Sequence, residues 1–178
     1  MAERRIDSRR AFEGRLLSVR VDEVELDNGR RATREVVEHP GAVGILAWDE
    51  GRLAMVSQWR TAADAALLEI PAGTIDPGET PSSTAERELA EECGLRAESW
   101  EAGPSFFTAP GFCTERLTIF LATGLHPTEM SPPEDEILQS SWLTLREALA
   151  AIEEGRIVDA KSLVGILWLV RRLEAAKG

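Results

Sequence analysis

Along the N-terminal part of the chain, apolar and polar positions follow the short period of β-strands. Residues 11–38 read as strands. Asp27-Asn28-Gly29, flanked by Val24, Leu26 and Val36, is a hairpin signal, because tight hairpin turns need residues that accept positive φ. His39-Pro40-Gly41 breaks the pattern. Ala42 to Trp48 is then a nearly continuous apolar run, as a strand buried on both faces requires. Asp49-Glu50-Gly51 predicts a turn, and residues 52–59 a returning strand. Residues 60–68 read as a connection that leads through Leu68–Ala72 into Gly73. Further strands are expected near 97–107 and 116–123, with a last short one at 138–143. The acidic, proline-bearing stretch 126–136 is polar enough for an exposed loop.

The period lengthens after Gly73. Thr80 is an N-cap candidate with Pro81 at the first helical position, Ser83 with Glu86 offers a second capping pair, and Gly94 stands where a left-handed C-cap belongs. Between these signals Ala85, Leu89 and Cys93 form an apolar stripe that can anchor a helix. Beside it Glu88, Glu91 and Glu92, spaced i, i+3, i+4, share a narrow arc. Three like charges on one face repel each other. Taken alone, the face is either a solvated acidic surface or a ligand set. Hard cations such as Mg²⁺ take oxygen ligands, usually one or two carboxylates plus substrate phosphate, and would offset the repulsion. Arg87 stands one turn before Glu91 and can hold that carboxylate ionised. Two more helices are predicted, from Thr144 to about Glu154 and from Asp159 to about Ala175, the latter with Leu163, Leu167, Val170 and Leu173 towards one side.

Composition narrows the classes. The 178 residues suit one domain with a small appendage, divided here as 1–40, a β region, and 41–178, the main domain. A net charge of −11 without a basic tract argues against nucleic-acid binding, which relies on Lys and Arg at phosphates. It leaves room for a phosphate-bearing small molecule, because a divalent cation inverts the local field. Cys93 and Cys113 form neither a CxxC motif nor a disulfide framework. No signal peptide is visible at the N-terminus, and the apolar run Leu163–Val170 is far short of a membrane span. A cytoplasmic protein without membrane partners is expected.

Gly73, Glu79 and Arg87-Glu88-Leu89-Ala90-Glu91-Glu92-Cys93-Gly94-Leu95 stand at the spacing of the Nudix box and match it at every defined position. The chain thus resembles the Nudix hydrolases. The resemblance implies an α+β fold, an α/β/α sandwich with a mixed sheet, here with a small N-terminal antiparallel β region. It implies Mg²⁺- or Mn²⁺-dependent hydrolysis of a nucleoside diphosphate linked to another moiety. Glu88 and Glu92 would be metal ligands, Glu91 a third ligand or an aid to water activation, and the Ala72 carbonyl a further ligand.

Flanking segments resemble the ADP-ribose pyrophosphatase branch. They are Gln58-Trp59-Arg60, Leu68-Glu69-Ile70-Pro71-Ala72-Gly73, and Phe106–Phe112 with Pro110 fifteen residues beyond Leu95. GRRATREVVEHPGAV and GRIVDAKSLVGILW resemble it too. The branch implies ADP-ribose cleaved to AMP and ribose 5-phosphate by a homodimer that exchanges its N-terminal β regions. Within it Arg60 is a candidate phosphate or ribose contact, against a plain surface ion pair, since arginine suits bidentate phosphate recognition. Glu69 is a substrate-side candidate, against a structural partner of the backbone. Pro110-Gly111 reads as a turn that marks the branch. The general base is expected from the late acidic loop, Glu136 before Glu134. Trp48, Trp59, Phe106 and Phe107 read as core, and His39 and His126 as structural or exposed. Two alternatives stand beside this reading: another substrate, such as ADP-glucose, GDP-mannose or a dinucleotide, and a non-catalytic nucleotide-binding regulator on the same fold.

Overall fold

The computed structural model describes residues 2–129 and 138–176. In chain order the strands are β1 Glu3–Glu13, β2 Ser18–Leu26, β3 Arg31–Glu38, β4 Ala42–Asp49, β5 Arg52–Arg60, β6 Ala65–Glu69, β7 Ala72–Thr74, β8 Leu95–Phe107, β9 Arg116–Pro127 and β10 Leu138–Thr144. The helices are α1 Pro81–Cys93, α2 Leu145–Glu153 and α3 Ala160–Ala175. The chain divides into two compact units: one runs up to Gly41 and includes Phe107–Arg116, the other comprises Ala42–Phe106 and Leu117 onward.

In the first unit β1, β2 and β3 form an antiparallel sheet in that order. The turn at Asp27-Asn28-Gly29 is the expected one: Gly29 has φ 78° and donates its N–H to Leu26 O. Strand structure starts at Glu3, earlier than the apolar pattern suggests, because β1 buries no residue within this unit and carries no alternation to read. It is bound instead by its ladder to β2 and by charge pairs such as Arg4–Glu25 at 3.0 Å. Residues 107–116 join the unit at Val37, whose N–H donates to Phe112 O while its carbonyl accepts from Thr114 N–H. The expected boundary at 40/41 thus gains a second, distant piece of chain.

The second unit is a seven-stranded mixed sheet in the order β10-β5-β4-β9-β8, with β6 on β5 and β7 on β4. The central pair β4 and β9 is parallel. Side chains of β4 alternate between two cores. Val43, Ile45 and Ala47 face Ala85 and Leu89 of α1, and Ala42 and Leu46 face Ala148 and Ala151 of α2 and Ile166 and Leu169 of α3. Helices therefore cover both faces, which is why β4 reads as unbroken apolar sequence.

Four expectations change. The connection at 60–68 contains a 3₁₀ turn, Thr61–Ala63, and the strand β6. The buried face of α3 is Ser162, Gly165, Ile166 and Leu169, while Leu167 is exposed. The Ser162 hydroxyl accepts from Ile70 N–H and so fixes the rotation of the helix. Strand β9 carries His126 and Pro127, which the polar pattern assigned to a loop. Trp48 and Phe106 pack on the core, but Trp59 and Phe107 are exposed: they belong to neither buried cluster, and the Phe107 ring instead lies under the Arg116 guanidinium.

Candidate active site

α1 is set by its ends. Thr80 Oγ1 accepts from Ser83 N–H, Ser83 Oγ accepts from Thr80 N–H, and Pro81 opens the first turn. Gly94 closes the helix at φ 62°, a left-handed conformation that suits glycine. Ala85 and Leu89 are fully buried, and this anchoring turns the adjoining acidic arc towards β7.

Two of the three glutamates on that arc are inside the protein. Glu88 is 9% exposed and Glu92 7%. Glu92 Oε2 accepts from Ala72 N–H at 2.9 Å, and a methyl group on Gly73 would lie 1.7 Å from Glu88 Oε1. Only glycine at position 73 leaves the Glu88 carboxylate its seat. The structure thus brings Ala72, Gly73, Glu88 and Glu92 together. Ala72 meets Glu92 through its amide and pairs with Gly44 of β4 in the sheet.

Arg87 braces the arrangement. Its Nε and Nη2 grip Glu79 at 2.9 Å each, while Nη1 donates to Glu88 Oε1 at 2.7 Å and Glu91 Oε2 at 3.1 Å. The expected i, i+4 pair with Glu91 is present as one arm of a larger network. Arg87 holds Glu79 far below the usual carboxylate range, at about 2, and the carboxylates hold Arg87 firmly protonated. Burial pushes the Cys93 thiol up to about 12, with Glu92 adding to the effect, so Cys93 is an unreactive packing residue.

Among the described residues no three His, Cys, Asp or Glu side chains converge as a ready-made metal cage. A small hard dication held by one or two carboxylates, with phosphates filling other positions, needs none. The donor chemistry of Glu88 and Glu92 fits such an ion: all-oxygen, buried, and seated on a backbone that only glycine permits. Glu91 is turned to Arg87.

Arg60 and Glu69, at the far end of β5 and on β6, meet each other. Arg60 Nε donates to Glu69 Oε1 at 2.9 Å and Nη2 to Oε2 at 2.7 Å. Glu69 is 1% exposed. Burial pushes its carboxyl upward, but Arg60 and Lys161 outweigh that and hold it below the ordinary range. Arg60 feels Glu92 electrostatically, so this pair and the acidic arc act in one field. Lys161 and Ser162 join this segment from α3, at Glu69 and Ile70. Their signal in the sequence is slight: Lys161 is one of two lysines among 20 basic residues. Pro110 and Gly111 lie in the first unit, in an exposed turn closed by Phe112 N–H and Cys113 N–H on Ala109 O. Glu134 and Glu136 lie outside the described residues. His39 accepts from Gly41 N–H, and the exposed His126 pairs with Glu98.

Residues 38–163 match the family model of the NUDIX domain, which covers most of the chain. The chain belongs to the Nudix family. Residues 3–37 match a second model, the nucleoside diphosphate sugar hydrolase N-terminal domain. A methanol dehydrogenase activator from Bacillus methanolicus is 42% identical over 170 residues, 94% of this chain and 92% of that protein. An ADP-ribose pyrophosphatase from Bacillus subtilis (strain 168) is 40% identical over 172 residues, 95% of this chain and 93% of that one. A crystal structure of an ADP compounds hydrolase superposes with a TM-score of 0.88 at 23% identity, covering 99% of this chain and 96% of that chain. That likeness carries the fold, and the expected Nudix sandwich with a separate antiparallel N-terminal sheet is borne out. So is the reading of the chain as a Nudix pyrophosphohydrolase. No helix among the described residues is long and apolar enough to cross a membrane.

Proposed function

We propose that this Nudix protein hydrolyses the pyrophosphate bond of ADP-ribose to AMP and ribose 5-phosphate. One observation carries the chemistry: two buried carboxylates one helical turn apart, Glu88 and Glu92, seated on the Ala72–Gly73 backbone. The substrate is supported by the 40% identity to the B. subtilis ADP-ribose pyrophosphatase across nearly the full length of both chains.

Glu88 and Glu92, with the Ala72 carbonyl and Glu91 as further candidates, would hold Mg²⁺ or Mn²⁺. When bound, such an ion neutralises pyrophosphate charge and acidifies water. Arg87 donates to both Glu88 and Glu91 and so orients the two carboxylates. Arg60 keeps one guanidinium nitrogen, Nη1, without a hydrogen-bond partner among the described residues, which suits a substrate phosphate or ribose hydroxyl. A water oxygen adds to one phosphorus as the bridging oxygen leaves with the other, and a carboxylate takes the water's proton. Glu136, with Glu134 second, is our candidate for that base.

A second reading keeps the chemistry and changes the leaving group. The match of residues 3–37 to a domain named for nucleoside diphosphate sugars in general supports it. The test is a panel of ADP-ribose, ADP-glucose, GDP-mannose, dinucleotides and nucleoside triphosphates with Mg²⁺ and with Mn²⁺, products identified by mass. ADP-ribose is expected to have the highest kcat/KM. A strong preference for GDP-mannose or a triphosphate would overturn the substrate assignment, and no turnover of any member would favour a regulator.

We further propose a cytoplasmic homodimer whose N-terminal β regions are exchanged. The eleven exposed residues of β1, including Ile6 and Phe12, support it. A solution mass equal to a single chain would refute the dimer.

A further inference from the structure

The Arg60–Glu69 pair has a third member that the chemistry above does not use. Lys161 Nζ, in the first turn of α3, donates to Glu69 Oε2 and also to Asp159 Oδ1, the latter at 2.9 Å. Asp159 is the N-cap of α3 and accepts from Ser162 N–H. Ser162 Oγ in turn accepts from Ile70 N–H, one residue beyond Glu69. The first turn of α3 is thus tied at two points to the segment that leads into Ala72 and Gly73. Charge alternates along the row Arg60, Glu69, Lys161, Asp159.

Exposure separates the two cations. The Lys161 side chain is 13% exposed and that of Arg60 37%, against 1% for Glu69. A carboxylate so deeply buried is costly without a cation. Were Arg60 its sole counter-ion, any turn of the guanidinium towards a substrate phosphate would leave Glu69 uncompensated. Lys161 removes that conflict, because it stays with Glu69 whichever way Arg60 is drawn.

We propose that Lys161 is a positioning residue: as the standing counter-ion of Glu69 it leaves the Arg60 guanidinium available to the substrate. This rests on Arg60 being a substrate contact in the proposed reaction. Without Lys161, Arg60 is held harder by Glu69, and substrate binding weakens in ground state and transition state alike. Such a change appears in KM rather than kcat.

The test compares steady-state hydrolysis of ADP-ribose by the unaltered protein with that by Lys161→Met, Lys161→Gln, Lys161→Arg, Glu69→Gln, Arg60→Ala and the double variant Glu69→Gln/Lys161→Met. Lys161→Met and Lys161→Gln should each raise KM about tenfold with kcat within about threefold, and Lys161→Arg should restore KM. In the Glu69→Gln background Lys161→Met should add nothing, because its target is gone. Two neutral variants are included so that the folding failure of one leaves the other to decide. Unchanged KM in a folded neutral variant, or losses that multiply in the double variant, would overturn the proposal. Unchanged KM in Arg60→Ala would overturn it together with the contact role of Arg60. If ADP-ribose is not the substrate, only the substrate reading fails, and the same comparison runs on the preferred compound of the panel.

Discussion

Gly73 and Glu88 illustrate how a single atom can decide a site. The Glu88 carboxylate occupies the space that a Cβ on residue 73 would need. Gly73→Ala should therefore lower kcat/KM by about a hundredfold, the scale of an ångström-sized misplacement, while the protein stays folded. Near-normal turnover by that variant would contradict the seat assigned to Glu88. Glu79 gives a prediction in pH. Arg87 lowers its carboxyl from the ordinary 4.5 to about 2. A depressed carboxyl stabilises the fold fully above its ordinary value and loses that contribution as pH falls towards the folded value. Denaturant unfolding of Glu79→Gln should therefore depend less steeply on pH than the unaltered protein between about 4.5 and about 2; parallel curves would deny the coupling. The acids of α1 were legible because helical spacing alone puts Glu88, Glu91 and Glu92 on one arc. Lys161 and Ser162 were not, since their partners Glu69 and Ile70 lie 92 residues away and no local period encodes that meeting.

At the scale of elements, the caps did most to make α1 readable. Thr80, Pro81 and Gly94 mark its ends in the sequence and hold them in the structure. Thr80→Ala removes the side-chain acceptor for Ser83 N–H and should cost about 1 kcal/mol of unfolding free energy, measured by urea denaturation. A loss near zero would mean that packing of Ala85 and Leu89 alone sets the start of the helix. Strand β4 was legible because burial on both faces writes an apolar run. Strand β1 was hidden for the opposite reason: with neither face buried in its own unit, only its ladder and charge pairs define it. The buried face of α3 is masked in the sequence because its leucines outweigh Ser162 and Gly165 in any hydrophobic pattern. The small residues let this helix approach the sheet: a Cβ on Gly165 would come within 3.3 Å of Ile70 and Leu46.

For the whole molecule, the family and reaction type were readable from one contiguous stretch, whereas the assignment of residues 107–116 to the N-terminal unit was not. That piece is attached by backbone hydrogen bonds at Val37, to which side-chain patterns are blind. We propose that the buried carboxylates of α1 are the seat of ADP-ribose hydrolysis. The most direct test of this claim is turnover of ADP-ribose with Mg²⁺ by the unaltered protein and by Glu92→Gln, with products identified by mass and folding checked by thermal unfolding. The unaltered protein should release AMP and ribose 5-phosphate, and Glu92→Gln should be slower by about three orders of magnitude while still folded. A folded Glu92→Gln that turns over ADP-ribose at close to the normal rate would contradict the claim.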